Sequence, residues 1–324
     1  MAATTPRRVL LDTDPGIDDA LAILLALASP EIDLVGLSVV HGNCPLADGV
    51  INALAVLELG GAPALPVASG CDRPLLRPLH TALETHGDKG LGYATLPRAA
   101  AKPVAEHAVD LLIREIMAAP GEVTLVAVGP LTNVALALRK EPRLAGAVRE
   151  CFFMGGALRA DGNTTPLGEF NVYADPHAAQ IVLESGIPIT IMPWDVTKAV
   201  QFTQVHVDQL LVRGGPIAAF IEAATRFYIE FHLKQFGWAA CSINDPAALA
   251  LIWWPELAQT RELYMAVETT SELTMGKTVG DFKGMLGRAP NVRLVEQFDG
   301  PEFVRRFVER MEALIDRLGE GHSR

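Results

Sequence analysis

The chain has 324 residues, half of them hydrophobic and a fifth charged, an ordinary composition for a globular protein with a sizeable core. Its net charge of -11 excludes sequence-independent binding to nucleic acid, which needs a basic surface to neutralise phosphates, but leaves uncharged nucleosides open. Cys44, Cys71, Cys151 and Cys241 are dispersed and form no CxxC pair, so neither a zinc site nor a disulfide framework is expected, and reduced thiols in a cytosol are the simplest reading.

The first eight residues are polar and lack the apolar core of a signal peptide. No run reaches the ~20 apolar residues that span a bilayer. Residues 9–11 read as a buried strand ending in Asp12-Thr13-Asp14, Pro15-Gly16 as a turn, and 17–28 as a helix apolar nearly all round, hence buried against a sheet. A strand over 34–40, a helix over 46–59 and a short strand over 65–68 follow. Residues 71–102 form a long loop of the kind that is usually functional or mobile. Alternation resumes with a helix over 104–117, a strand over 123–128, a helix over 131–140 and a strand over 151–154. A loop over 157–174, a helix over 176–184 and a strand over 189–192 come next, and 202–253 read as helical. A last helix covers 301–318. Repeated strand-helix alternation predicts an α/β fold with an open, mostly parallel sheet flanked by helices. With no linker or internal repeat, residues 1–324 are expected to form a single domain.

Ligands of such sheets sit beyond the carboxyl ends of the strands. The segment Asp12 to Asp19 puts four carboxylates, Asp12, Asp14, Asp18 and Asp19, into eight positions at one such end. Asp12 and Asp14, two apart, are expected on the same side of the strand. Like charges this close repel unless a cation intervenes, and a hard divalent cation with oxygen ligands is the natural partner. Taken singly, Asp18 and Asp19 also suit the positive end of a helix dipole. Asp245, in Asn244-Asp245-Pro246, is a second carboxylate candidate that taken singly also suits a helix N-cap with proline at the first helical position, and Asp175, in Asp175-Pro176, reads as such a cap. Glu169 and Asn171, two apart in an expected extended loop, offer groups suited to sugar hydroxyls. His86 precedes Gly87, Gly90 and Gly92, which suggest a mobile lid.

Together these segments resemble the inosine/uridine-type nucleoside hydrolases, over about residues 8 to 290. The hallmark is Asp12-Thr13-Asp14-Pro15-Gly16-Ile17-Asp18-Asp19-Ala20. His41-Gly42-Asn43, Val128-Gly129-Pro130-Leu131-Thr132-Asn133, Met154-Gly155-Gly156, Glu169-Phe170-Asn171 and Asp245-Pro246 follow in the family's order. The resemblance implies a Rossmann-like domain holding Ca²⁺ through Asp14, Asp19, Asp245 and the Val128 carbonyl, with Asp12 in support. It implies Asp14 as general base for the attacking water. Asp18, Asn43, Asn163, Glu169 and Asn171 would bind the ribose, with Met154 lining it. It also suggests a homodimer or homotetramer acting in nucleoside salvage in a cytosol. Such a site stabilises the positive charge that develops on ribose as an N-glycosidic bond breaks.

The chain departs from the family at Asn244, where many members carry a histidine assigned to protonating the leaving base. Asparagine is no general acid. His86 or His232 are candidates to replace it, and Trp238, Tyr228 and Phe231 are candidates to stack on the base; Tyr228 and Phe231 also suit plain core packing. Two other readings compete. One is a Mg²⁺-dependent phosphatase of haloacid-dehalogenase type, which also has Asp-x-Asp at a strand end, though Pro15-Gly16 and Asp18-Asp19 fit it poorly. The other is a non-catalytic nucleoside-binding or sensing protein.

Overall fold

Short apolar runs form strands buried on both faces, and the longer apolar stretches between them form the helices that cover them. The computed structural model describes residues 5–321; residues 1–4, the first half of the polar N-terminal segment, and residues 322–324 lie outside the described residues. In chain order the elements are β1 (Arg7–Thr13), α1 (Ile17–Ala28), β2 (Ile32–Val39), α2 (Leu46–Leu59), β3 (Val67–Ser69), α3 (Leu83–His86), α4 (Ala108–Ala118), β4 (Thr124–Ala127), α5 (Thr132–Lys140), α6 (Leu144–Ala147), β5 (Glu150–Met154), α7 (Phe170–Ala174), α8 (Pro176–Glu184), β6 (Ile189–Met192), α9 (Trp194–Thr197), β7 (Gln201–Thr203), α10 (Gln204–Leu211), α11 (Gly215–Phe236), β8 (Ala240–Ser242), α12 (Asn244–Ala250), β9 (Ala258–Leu263), β10 (Met265–Val267), β11 (Thr278–Gly280), β12 (Val292–Phe298) and α13 (Gly300–Gly321).

The main sheet has eight strands in the order β3-β2-β1-β4-β5-β6-β12-β9. All neighbours are parallel except β9, which closes one edge antiparallel to β12. Side chains alternate between two cores: Val9, Leu11 and Val126 point into one, Leu10, Leu125 and Ala127 into the other. Helix α1 is buried at every position but Leu27, because it packs on α2, α11, α12 and α13 as well as on β2. Each fully buried Leu or Ile there contributes ~1.5–3 kcal/mol. No helix among the described residues is long and apolar enough to cross a membrane.

The strand order runs outward in both directions from β1 and β4, so the crevice at their carboxyl ends is the ligand position of an open parallel sheet. Asp12 lies level with Ala127 across that boundary, and the Val128 N–H donates to the Asp12 carbonyl at 2.8 Å.

Several expectations need correction. The helix expected from 104 begins at Ala108, because the His107 side chain accepts from the Val109 N–H and caps it; Val104 instead bridges to Ala68 of β3. Residues 202–253 are not helical throughout, since β7 and β8 pair there as an antiparallel ribbon. Residues 254–300 supply four strands that alternation did not announce, including β12 inside the main sheet. The segment carrying Glu169 and Asn171 is no extended loop: Asn171 lies in α7 and Glu169 is its N-cap.

Candidate active site

The acidic segment folds as its chemistry requires. Thr13 ends β1, Pro15-Gly16 turns the chain, and Asp18 and Asp19 enter the first turn of α1. Asp19 is the organiser. Its Oδ1 accepts from the Thr13 hydroxyl at 2.5 Å and the Asp14 N–H at 3.1 Å. Its Oδ2 accepts from the Gly16 N–H at 2.9 Å and the Asn43 amide at 2.8 Å. Asp19 thus caps the start of α1 through the Gly16 N–H, and it locks the loop that displays Asp14.

Asp14 is buried between two glycine backbones. A Cβ on Gly42 would lie 1.9 Å from its Oδ2, and one on Gly129 would lie 2.5 Å from its Oδ1. Its Oδ2 accepts from the Asn43 N–H at 2.8 Å, whereas its Oδ1 is buried with no partner. Burial, reinforced by Asp19, holds the Asp14 carboxyl well above the ordinary carboxylate range. Burial and the charges of Asp18, Asp19 and Asp14 do the same to Asp245. Asp18 is also pushed up by burial and by Asp19, against the opposing donation of Asn244. Carboxylate oxygens of Asp18, Asp19 and Asp245 approach one another within 4.8 Å. No lysine or arginine lines the cavity above them. A buried acidic cluster without a basic counter-charge, with an orphaned oxygen beside it, is a fitted cation site. The closest trio includes Asp18 rather than Asp14. Asp245 is not a helix cap, because α12 starts at Asn244 with no side-chain cap. Asp175 is one, accepting from the Ala178 N–H at 3.0 Å.

Asp12 serves the site from below. Its Oδ1 accepts from the Ser38 hydroxyl at 2.5 Å and the Asn133 amide at 2.9 Å, and burial pushes its carboxyl up to about 7. Asn133 also accepts from the Cys71 N–H and donates to the Val39 carbonyl. Its role went unread in the sequence although its motif was noted; a buried amide after a strand end was the available signal.

Above the acids lies a cavity of about 320 Å³. Asp18, Asn43, His86, Val128, Met154, Asn163, Glu169, Asn171, Asn244 and Asp245 all line it. Asp12, Asp14 and Asp19 are not among the residues that line it. Glu169 is oriented by three backbone donors, Gly156 at 2.7 Å, Asn171 at 2.9 Å and Val172 at 3.2 Å, and burial raises its pKa. The Asn171 amide donates to the carbonyls of Val128 at 2.7 Å and Met154 at 3.0 Å, so the Val128 carbonyl reaches the site with one lone pair already engaged. Asn163 Oδ1 accepts from the Phe170 N–H at 2.9 Å.

His86 is not a free lid residue. It is buried, and its Nδ1 accepts from the Ile17 N–H at 3.0 Å. The glycine loop after it is tied down by Asn52, whose amide donates to the carbonyls of Lys89 at 2.7 Å and Pro15 at 3.0 Å. Beside it, with the Tyr228 ring 5.3 Å from that of His86, Tyr228, Phe231 and His232 of α11 line the cavity, joined by Trp194 and Phe236, which sequence reasoning missed. Tyr228 belongs to the core and also lines the cavity. Trp238 stands behind the wall, stacked on Phe236 at 4.8 Å and Trp194 at 6.1 Å.

Comparison with known proteins points the same way. A family model described as inosine-uridine preferring nucleoside hydrolase matches residues 9–305. The chain is 38% identical over 304 residues, 94% of its length and 97% of the relative's, to the pyrimidine-specific ribonucleoside hydrolase RihA of Citrobacter koseri. Among solved structures it is similar to a purine-preferring ribonucleoside hydrolase from Gardnerella vaginalis, at TM-score 0.91 and 32% identity, covering 95% of this chain and 99% of that one. A plant nucleoside hydrolase, PpNRh1, gives TM-score 0.91 and 32% identity, covering 95% and 100%.

Proposed function

The chain belongs to the inosine-uridine preferring nucleoside hydrolase family and hydrolyses the N-glycosidic bond of ribonucleosides, and we propose that it does so around a Ca²⁺ ion held by Asp14, Asp19, Asp245 and the Val128 carbonyl. The observation that carries this is the set of buried carboxylates with no basic partner, Asp14 Oδ1 among them unpaired. Bound there, the ion lowers the pKa of a water and orients it.

The remaining work falls to the side chains. Asp14, rigidly seated between Gly42 and Gly129, takes the proton of the attacking water. Asp18, Asn43, Asn163, Glu169 and Asn171 hold the ribose hydroxyls, and Met154 lines the sugar. Their fixed hydrogen bonds supply the alignment that turns attack on C1′ into an effectively intramolecular step. As the C1′–N bond opens, positive charge grows on the ring within reach of Asp18, Glu169 and Asp245, which favour it. Asp12 supports the floor, while His86 and Asn244 face the leaving base. The whole chain, residues 1–324, acts as one catalytic domain. We place it in a cytosol, in nucleoside salvage, as a homodimer or homotetramer.

The test is ribose release from inosine, adenosine, guanosine, uridine and cytidine, with and without a strong calcium chelator, beside Asp14→Ala. Chelator-sensitive release that the substitution abolishes is expected. Full activity in chelator, or in Asp14→Ala, refutes the assignment.

A further inference from the structure

The seat of Asp14 has two jaws, the backbones of Gly42 and Gly129. Gly42 follows β2 and Gly129 follows β4, with β1 running between those two strands. The sheet ladder therefore cannot join the jaws directly, and whatever fixes the gap between them lies beyond the strand ends. Each jaw has a buried polar neighbour that does not line the cavity: His41 beside Gly42, and Thr132 at the start of α5 beyond Gly129. These two side chains meet. His41 Nε2 lies 3.0 Å from Thr132 Oγ1, and the Thr132 hydroxyl donates to Asp175 Oδ2 at 2.8 Å.

The direction of this chain follows from counting hydrogens. A threonine hydroxyl has one hydrogen, and Asp175 takes it, so the Thr132 oxygen accepts from the His41 Nε2–H. His41 Nδ1 then carries no hydrogen, and it is buried without a partner. Burial holds the ring neutral, with its pKa down at about 4. The main chain of His41 is anchored as well, its N–H donating to the Cys71 carbonyl at 2.9 Å. Asp175 is held by backbone donors on both oxygens, Ala178 at 3.0 Å and Leu75 at 2.9 Å. It also ends α7 and opens α8, so the far end of the chain is fixed to the helix whose start presents Glu169 and Asn171. A buried network with its hydrogen bonds made in one direction is rigid.

We propose that His41, Thr132 and Asp175 are positioning residues, a relay that sets the gap between Gly42 and Gly129 and thereby places Asp14 toward the cation and the attacking water. The inference rests on the hydrolase and calcium assignments above. If the His41–Thr132 link is broken, the jaws can part and Asp14 gains freedom. The ribose side keeps its own bonds, Glu169 to the Gly156 N–H and Asn171 to the carbonyls of Val128 and Met154. The loss then falls on kcat and on calcium affinity, and not on KM.

The experiment uses the full chain with two pairs of variants, Thr132→Val with Thr132→Ser, and His41→Leu with His41→Gln. Thr124→Val serves as control, because the buried Thr124 hydroxyl of β4 has no partner to lose. Calcium affinity is measured by titration calorimetry on metal-stripped protein, and kcat and KM on inosine and uridine at saturating calcium. Thr132→Val and His41→Leu should each raise the calcium Kd and lower kcat by about tenfold or more, with KM little changed. Thr132→Ser restores the hydroxyl and His41→Gln a side-chain N–H, so each should recover part of the loss. Thr124→Val should leave all three quantities unchanged. Should Thr132→Val not fold, the His41 pair carries the same comparison. Native kcat and calcium affinity in the folded Thr132→Val or His41→Leu protein, or no recovery in the conservative partner, overturns the relay and leaves a hydrolase in place. A native chain that releases ribose from neither nucleoside, nor from adenosine, guanosine or cytidine, overturns the hydrolase assignment itself and the inference with it.

Discussion

Cation binding should displace protons from the acidic cluster, and the stability gained from calcium should therefore grow with pH across a range where ordinary carboxylates no longer titrate. Asp14 and Asp245 are held well above their ordinary 3.8 by burial and by the neighbouring carboxylates, Asp19 and Asp18 foremost. The sign follows from that direction. A carboxyl whose folded value is raised stabilises the metal-free fold fully below 3.8, and that contribution is lost as pH rises through the raised value. A cation that replaces the proton removes the loss. Each proton so displaced is worth ~1.4 kcal/mol per pH unit, and two are worth about 3 kcal/mol, a sizeable part of a total stability of ~5–15 kcal/mol. The buried histidines His41, His86 and His232, all held below 6.5, titrate alike with and without calcium and cancel from the difference. The assay is thermal unfolding at pH 6, 6.5 and 7, with saturating calcium and with chelator. The gap in Tm should widen by roughly 5 °C per pH unit. A gap that is constant between pH 6 and 7 means that the cluster is already ionised without metal, and the reasoning fails.

Other perturbations probe individual supports. Gly42→Ala puts a carbon 1.9 Å from Asp14 Oδ2, so the carboxylate must move, and kcat should fall about 10²-fold with circular dichroism unchanged. Asn133→Leu removes the acceptor of the Cys71 N–H, a donor to the Val39 carbonyl and one of the two donors to Asp12 Oδ1, which keeps Ser38; at ~1–3 kcal/mol for a buried group left unpaired, denaturant unfolding should show a loss of about 2 kcal/mol or more. His86→Ala should lower kcat/KM on uridine by about 10²-fold, and His86→Gln, which retains a donor, should recover part of it. Equal activity of the two variants would remove His86 from the leaving-group side.

Much of this was legible in the sequence because it is local. The strand, turn and acidic helix start at residues 12–19 are contiguous, and the parallel sheet follows from strand-helix alternation through residue 192. What escaped has physical reasons. β12 is a parallel strand and β9 its antiparallel edge partner, both brought in from residues 254–300 by long-range pairing, with no α-helix between them to mark the alternation. Glu169 was placed beside Asn171 from a spacing of two, but the spacing acts through an N-cap, not an extended strand. His86 was taken for part of a mobile lid from its glycines. Asn52, far away in sequence, ties that loop to Pro15, and the glycines serve close packing: a Cβ on Gly90 would meet Asn52, Cys44 and the Pro15 carbonyl.

The departure at Asn244 becomes intelligible in the same terms. An asparagine there keeps a donor on Asp18 without bringing a second titratable group next to Asp245. A histidine in its place would stand beside Asp18, and its proton would be shared with a carboxylate that the ribose also needs. With asparagine, Asp18 is oriented by a group whose charge never changes.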